Sequence, residues 1–491
     1  MHNMRAFLLA ATMAGSLGAG GALAATPYDT AVPPAHRTLI SKAAYDERLK
    51  TLDGVTEVSE TVKTRIAASP CGASISSLLV NGLSNPTIRN GLEMARAGMV
   101  DTPPSAKPQE NIWKVATTND LLFKLVDYTL DWCVALPQIN GNSDDGMKYI
   151  GPMYWFYYQN LAGKAFAQGR DPTNPTQPLP GNFDFFHQFS VENGAYMDSP
   201  ASTATIPQWI ADPRTEIADY PRRKPEDYTS WNDFFARILT INEAEKLIPS
   251  RPSTMPEREY PERDYIIVSP TDCIMNPLIQ ALDTVPGGKR QFIDNPLQLD
   301  TVLDIKHIPI TVKQLLGSAP DDLKQAFVGG TGLSCILMPN TYHNFHSPVN
   351  GEVVHAEVVK GTTFGYDDWA NLMPSNHNPA QLGTDFSQFE VYQRGVVIIK
   401  VTYRNATGQK PDFLTGYVAS IPVGLDTIGS VVLAKDIVPG AHVIRGYTRI
   451  GNFFYGGSMN VLLFSKGFAT GSVQTRLGNQ IGIINVGVTP N

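Results

Sequence analysis

Gly395-Val-Val-Ile-Ile-Lys-Val-Thr-Tyr403 is a run of β-branched and aromatic side chains broken by a single charge. Such a run is too short for an ordinary helix and suits a strand buried on a pleated surface. Working outward from it, the same kind of run recurs at Tyr265-Ile-Ile-Val-Ser269, Val353-Val-His-Ala-Glu-Val-Val359, Gly416 to Ile421, Gly429-Ser-Val-Val-Leu-Ala434 and Asn460-Val-Leu-Leu-Phe464. Gly, Pro and Asn separate these runs, and all of them follow Pro249. The spacing predicts a mostly β domain, sandwich or barrel-like.

The residues before Pro249 read differently. Leu121, Leu122, Leu125, Val126, Leu130, Cys133 and Val134 recur at helical spacing within Asn119 to Leu136. An aromatic, helix-like run covers Met153 to Phe166, and Trp231 to Leu239 predicts another helix. Residues 167–182 are rich in Pro, Gly, Asn and Asp and read as loop. The fold class is therefore α+β: a mainly helical domain over 25–245, then a β-rich catalytic domain over 246–491.

Residues 1–24 read as a signal peptide. Arg5 supplies the positive start, Ala6 to Leu23 the apolar stretch, and Ala22-Leu23-Ala24 the small-x-small cleavage pattern. The expectation is an exported protein, periplasmic or secreted. With 491 residues, 42% of them hydrophobic, the chain can bury a large core. A formal net charge of −7 argues against a nucleic-acid partner. Cys71, Cys133, Cys273 and Cys335 permit two disulfides in three connectivities, of which Cys71–Cys133 within the amino-terminal half is favoured.

Three local patterns carry chemistry. Val268-Ser-Pro-Thr-Asp-Cys273 ends a strand in a turn and presents Asp272. Tyr342-His-Asn-Phe-His-Ser-Pro-Val-Asn-Gly351 places His343 and His346 ahead of a turn and strand. Gly451-Asn-Phe-Phe-Tyr-Gly-Gly-Ser-Met-Asn-Val-Leu-Leu-Phe464 sets Gly457 and Ser458 before an apolar run. Taken singly, each has an ordinary reading: a turn former, a structural or metal-linked His pair, a tight turn. Their order changes the reading. Together with Trp231-Asn-Asp-Phe-Phe-Ala-Arg237 and Arg251-Pro252, they resemble the phosphatidylserine decarboxylase family across roughly Tyr228 to Gly467.

The resemblance implies cleavage of the chain between Gly457 and Ser458, leaving a large β chain associated with a short α chain. A serine hydroxyl attacks well only when a positioned base takes its proton. His346 is the candidate base, and Asp272 would orient its imidazole. Gly457 would sit in a tight turn where close approach of the hydroxyl needs a bare backbone. Ester formation, β-elimination and hydrolysis would turn Ser458 into a pyruvoyl group, the cofactor. That carbonyl would condense with a substrate amine as a Schiff base and act as an electron sink. His343 is the candidate acid for the step after carbon dioxide leaves. Two departures from the family pattern stand out: Gly-Gly-Ser-Met where Leu-Gly-Ser-Thr is common, and Cys273 where glycine is usual.

Asp120 to Cys133, followed by Gly151-Pro-Met-Tyr-Trp-Phe-Tyr-Tyr158, resembles the helical domain of fungal tryptophan decarboxylase-like members. With no apolar membrane-contacting segment besides the signal, a soluble amino acid, with an aromatic one among the options, is the first choice of substrate. Phosphatidylserine is the second. Two other classes stay open, as does a homo-oligomer. A metal-dependent hydrolase would use His343 and His346 with His307 or His355 as third ligand. A binding protein would fit the likeness of Ser347 to Val354 to carrier domains, or an inactive, uncut family member.

Overall fold

The structure, a computed structural model, describes residues 26–99, 111–140, 160–251, 266–281, 296–305, 308–359, 393–405, 410–425, 430–455 and 457–470, with shorter stretches between and after them. The segment read as a signal peptide lies outside the described residues, as do His307 and Gly456.

The amino-terminal half is built from helices α1 (Lys42–Leu52), α2 (Glu60–Ala67), α3 (Gly72–Ser84), α4 (Pro86–Ala97), α5 (Thr118–Cys133) and α6 (Phe185–Met197). Helix α5 shows why. The Thr117 side chain accepts from the Asp120 amide while Asp120 returns the bond to the Thr117 amide, a reciprocal cap. Its buried positions Leu121, Leu122, Leu125, Val126, Leu130 and Cys133 then face the core. The helix stops at Cys133, short of the expected Leu136, because Val134 leaves helical geometry and Pro137 follows. Of the aromatic run from Met153 to Phe166, a helix over Leu161–Ala167 is described, and most of residues 150–159 lie outside the described residues.

The expected helix at Trp231 is a single short one, α7 (Trp231–Phe235). Asn344 explains its early end. Its side-chain amide donates to the carbonyls of Ala236 and Arg237 at 3.2 and 3.0 Å, so the last turn bonds to the β-rich half instead of continuing.

That half is dominated by an antiparallel sheet. Its strands are β1 (Ile266–Val268), β2 (Cys273–Pro277), β3 (Thr331–Leu337), β4 (Asn344–His346), β5 (Gly351–Val359), β6 (Arg394–Arg404), β7 (Phe413–Leu425), β8 (Val431–Leu433), β9 (His442–Val443), β10 (Arg449–Phe453), β11 (Gly457–Phe464) and β12 (Gln474–Thr475). The main sheet has eight strands in the order β9-β5-β6-β7-β11-β3-β2-β12, while β4-β10-β8 form a separate three-stranded sheet. Both faces of the main sheet are covered. Val396, Ile398, Met459, Val461 and Leu463 belong to a core shared with Leu78, Leu122 and Phe186 of the helices. The alternate residues Val397, Ile399, Leu462 and Phe464 join Phe345, Ile450 and Phe453 of the small sheet. Burial on both faces is why these strands read as nearly continuous apolar runs.

Two disulfides staple the halves internally. Cys71–Cys133 joins the start of α3 to the end of α5, and Cys273–Cys335 joins β2 to β3. The second accounts for the cysteine after Asp272: its partner stands on the neighbouring strand. Each closes a separation of 62 residues. Replacing either pair by serines is expected to cost roughly 2–4 kcal/mol through the freedom restored to the unfolded chain. Urea denaturation of each double variant checks this.

Candidate active site

The turn after β1 and the segment entering β4 are stitched together by backbone. The His346 amide donates to the Pro270 carbonyl at 2.8 Å, the Thr271 hydroxyl donates to the Tyr342 carbonyl at 2.8 Å, and the Val268 amide donates to the Pro348 carbonyl at 3.0 Å. This brings the Asp272 turn alongside both histidines. Strand β4 then pairs with β10, and the Phe453 amide donates to the His343 carbonyl at 2.9 Å. Strand β10 leads directly to Gly457 and Ser458.

His346 is fully buried. Its Nδ1–H donates to the Tyr447 carbonyl at 2.9 Å, which leaves Nε2 unprotonated, and the Tyr342 hydroxyl donates to that nitrogen at 2.7 Å. Burial, with Arg449 adding to it, pushes the imidazole down to about 4. His343 is equally buried, with Nδ1–H on the Thr341 carbonyl at 2.9 Å and the Phe235 ring against it at 3.8 Å between centroids. Burial and the neighbouring Arg237 charge push it down to about 3. Both imidazoles are therefore neutral at neutral pH. At rest His343 is a proton acceptor at Nε2, not the loaded acid that the sequence suggested.

Asp272 does not orient His346, contrary to expectation. Its carboxylate is taken by Arg251, at 3.1 Å to Oδ1 and 2.6 Å to Oδ2, and by the Leu477 amide. The reason is electrostatic. Arg251 is 2% exposed, and a buried guanidinium requires charge around it; Asp219 at 2.6 Å and Glu216 at 3.3 Å complete the set. The Asp272 charge also acts on Tyr342, the phenol bonded to His346. Burial foremost, with Asp272 among the charges acting on it, holds that phenol well above its ordinary range and keeps it a donor.

Ser458 is 1% exposed and lies in the middle of the main sheet, opposite Leu337 on β3 and Gly424 on β7. Gly457 is already in the strand, opposite Leu425, rather than in the expected tight turn. By alternation Ser458 shares a face with Asn460, whose amide bonds the Ser420 hydroxyl at 3.0 Å. A small carbonyl group at this position fits: it would be dry, fixed by two ladders and close to a polar pair. Among the described residues, all hydrogen bonds of the two imidazoles stay within their own layer and none goes to Ser458.

Sequence reasoning gave no role to Arg251, Tyr342, Phe235 or Tyr455. Phe235 stacks on His343 and meets Tyr455 edge-on at 5.4 Å, linking the histidine to the residues just before Ser458. The Tyr455 amide is held by Asn232 at 3.0 Å. All four lie in the motifs quoted above, but only contacts distant in sequence reveal what they do. Among the described residues, no group of three or more His, Cys, Asp or Glu side chains is placed to hold a metal ion. Nor is any described helix long and apolar enough to cross a membrane.

The profile of the phosphatidylserine decarboxylase family matches residues 250–483. Similar proteins include phosphatidylserine decarboxylase proenzyme 2 of Komagataella phaffii, 26% identical over 278 residues, which cover 56% of this chain and 22% of that one. The phosphatidylserine decarboxylase proenzyme of Fusobacterium nucleatum is 25% identical over 273 residues, 56% of this chain and 72% of its own. That of Clostridium perfringens strain SM101 is 26% identical over 323 residues, 65% and 84%. With this fold and this order of motifs, the carboxy-terminal half of the chain belongs to the phosphatidylserine decarboxylase family. It is thereby a carboxy-lyase of the pyruvoyl-dependent kind, the pyruvoyl group being derived from a serine. The family match begins at residue 250 and leaves the likeness of the amino-terminal helices to fungal tryptophan decarboxylases resting on sequence pattern alone.

The two imidazoles set a stability signature. An unfolded histidine titrates near 6.5, whereas these titrate near 4 and 3 when folded. Below about pH 6.5 the unfolded chain takes up protons that the folded one refuses, so stability present above that pH is lost progressively toward about pH 3. Thermal unfolding of the intact protein should fall steeply from about pH 7 to about pH 5. The double variant His343→Gln/His346→Gln should show a much shallower decline.

Proposed function

We propose that the chain is a self-cleaving phosphatidylserine decarboxylase in which Ser458 becomes the reactive carbonyl. What carries this reading is that the family match spans Asp272, His343, His346, Gly457 and Ser458 together. Ser458 Oγ attacks the Gly457 carbonyl and passes its proton to His346 Nε2, displacing the Tyr342 hydroxyl from that nitrogen. The Gly457 C–N bond breaks and an ester forms. Loss of the Ser458 α-proton expels the Gly457 carboxylate, and water replaces the remaining nitrogen, which leaves as ammonia. Asp272 serves by pinning the turn that carries Pro270, the acceptor of the His346 amide.

The pyruvoyl group supplies an electron sink for the substrate amine's departing carboxylate. His343 Nε2, unprotonated at rest, takes the proton released as that amine loses its charge and returns it to carbon. The relatives' names favour the phospholipid over the free amino acid that the lack of a membrane-contacting segment had suggested. The reading includes export, which two disulfides and the signal-like first residues support.

Intact mass measurement of the purified protein should give two chains, with the larger beginning at Ala25. Ser458→Ala and His346→Ala should each give one. His343→Ala should be cut, yet release carbon dioxide from phosphatidylserine at least ~100-fold more slowly. A wild-type chain found uncut would sink the proposal.

A further inference from the structure

The Cys273–Cys335 disulfide lies beside the residue before which the chain is proposed to cut. Cys335 on β3 stands opposite Asn460 on β11, and Leu337 stands opposite Ser458. Asn460 and Ser458 share one face of β11, so Cys335 shares it too, diagonal to Ser458 and roughly 7–8 Å away across the ladder. Both half-cystines are enclosed: Cys335 is fully buried and Cys273 is 4% exposed.

Cys273 opens β2 immediately after the turn that carries Asp272. That turn supplies the Pro270 carbonyl bonded by the His346 amide and the Thr271 hydroxyl bonded to the Tyr342 carbonyl. It is the turn against which the candidate base is set. The described β2–β3 ladder ends at Ile274 opposite Ile336, one residue short of Cys273. On its other edge Cys273 pairs with Thr475 of the two-residue strand β12, on the far side from Ser458. Arg251 and the Leu477 amide hold the Asp272 carboxylate from elsewhere. The disulfide is thus the bond that ties the turn to the strand flanking Ser458.

We propose that this disulfide is a positioning element for self-cleavage: the chain cuts before Ser458 at its full rate only once Cys273 and Cys335 are joined, so maturation waits for an oxidising environment. Joining them forms one S–S bond and passes two protons and two electrons to a disulfide oxidant such as oxidised glutathione, which leaves as two thiols. The inference rests on the self-cleaving reading. The other disulfide supplies the control. Cys71–Cys133 closes the same 62-residue separation, so its loss relaxes the unfolded chain to the same extent, yet it joins two helices of the amino-terminal half. A difference between the two pairs therefore reports position and not general stability.

The full chain would be made by cell-free synthesis in dithiothreitol or in a mixture of reduced and oxidised glutathione, with cleavage followed by intact mass. The wild type should be cut in glutathione and at least about tenfold more slowly in dithiothreitol. Cys71→Ser/Cys133→Ser should be cut at the wild-type rate in glutathione and keep the slowing in dithiothreitol. Cys273→Gly/Cys335→Ala should be slow in both mixtures, with the circular dichroism of the wild type. Equal wild-type rates in the two mixtures, equal slowing by the Cys71/Cys133 variant in glutathione, or normal cutting or loss of fold in the Cys273/Cys335 variant overturns the assignment and leaves the self-cleaving reading standing. A wild-type chain that stays uncut even in glutathione removes that reading itself.

Discussion

The constraint on which the carboxy-terminal half depends is that the bond before Ser458, the proposed cleavage point, lies at the edge of a fully paired central strand. From Ser458 to Phe464, β11 is laddered to β3 on one side, and from Gly457 it is laddered to β7 on the other. Breaking the bond before Ser458 removes no ladder hydrogen bond beyond it. Leu462 and Phe464 anchor the strand in one core, and Met459, Val461 and Leu463 in the other. A chain beginning at residue 458 is therefore held by the same packing and pairing as the uncut one. Such a fold can cut itself at this position without falling apart.

The second constraint is charge. Arg251 is buried among Asp272, Asp219 and Glu216, which belong to segments far apart in sequence. Removing Arg251 leaves the buried Asp272 carboxylate uncompensated, at a cost of about 3–5 kcal/mol. The cluster therefore fixes where residues 216–219 of the amino-terminal half sit relative to the turn at Asp272. Arg237 supports the same seam. Its guanidinium lies over the Tyr220 and Phe234 rings at 4.7 and 4.8 Å and donates to the Asn340 carbonyl at 3.0 Å. The histidine segment is thus held from the helical side as well as from the sheet.

These features explain what the sequence disclosed and what it hid. Strand positions were legible because both faces of the main sheet are buried, so β-branched runs mark them without ambiguity. Helix α5 was legible from its 3.6-residue spacing. The candidate residues Asp272, His343, His346 and Ser458 could be named from local motifs. Their partnerships could not, since each depends on contacts between distant segments. Tyr342 lies four residues before His346, yet its bond to Nε2 follows from the bend between them, which no local pattern encodes. Arg251 captures Asp272 across twenty-one residues, and that capture redirects the carboxylate from base support to anchoring.

Burial also decides the acid–base assignments. Two imidazoles a few residues apart have both lost their charge to desolvation, but their free nitrogens meet different surroundings. Nε2 of His346 is held by a phenol that burial prevents from ionising, so it can gain a proton only when that hydroxyl turns aside. Among the described residues Nε2 of His343 has no such guard, and the ring is covered by Phe235 and, through it, Tyr455. The first arrangement suits a base used once, during cleavage. The second suits a group that must take up and return a proton at every turnover, beside the segment that leads to Ser458, the proposed source of the carbonyl. Identical side chains on one short segment thus acquire separate tasks from what lies against their second nitrogen.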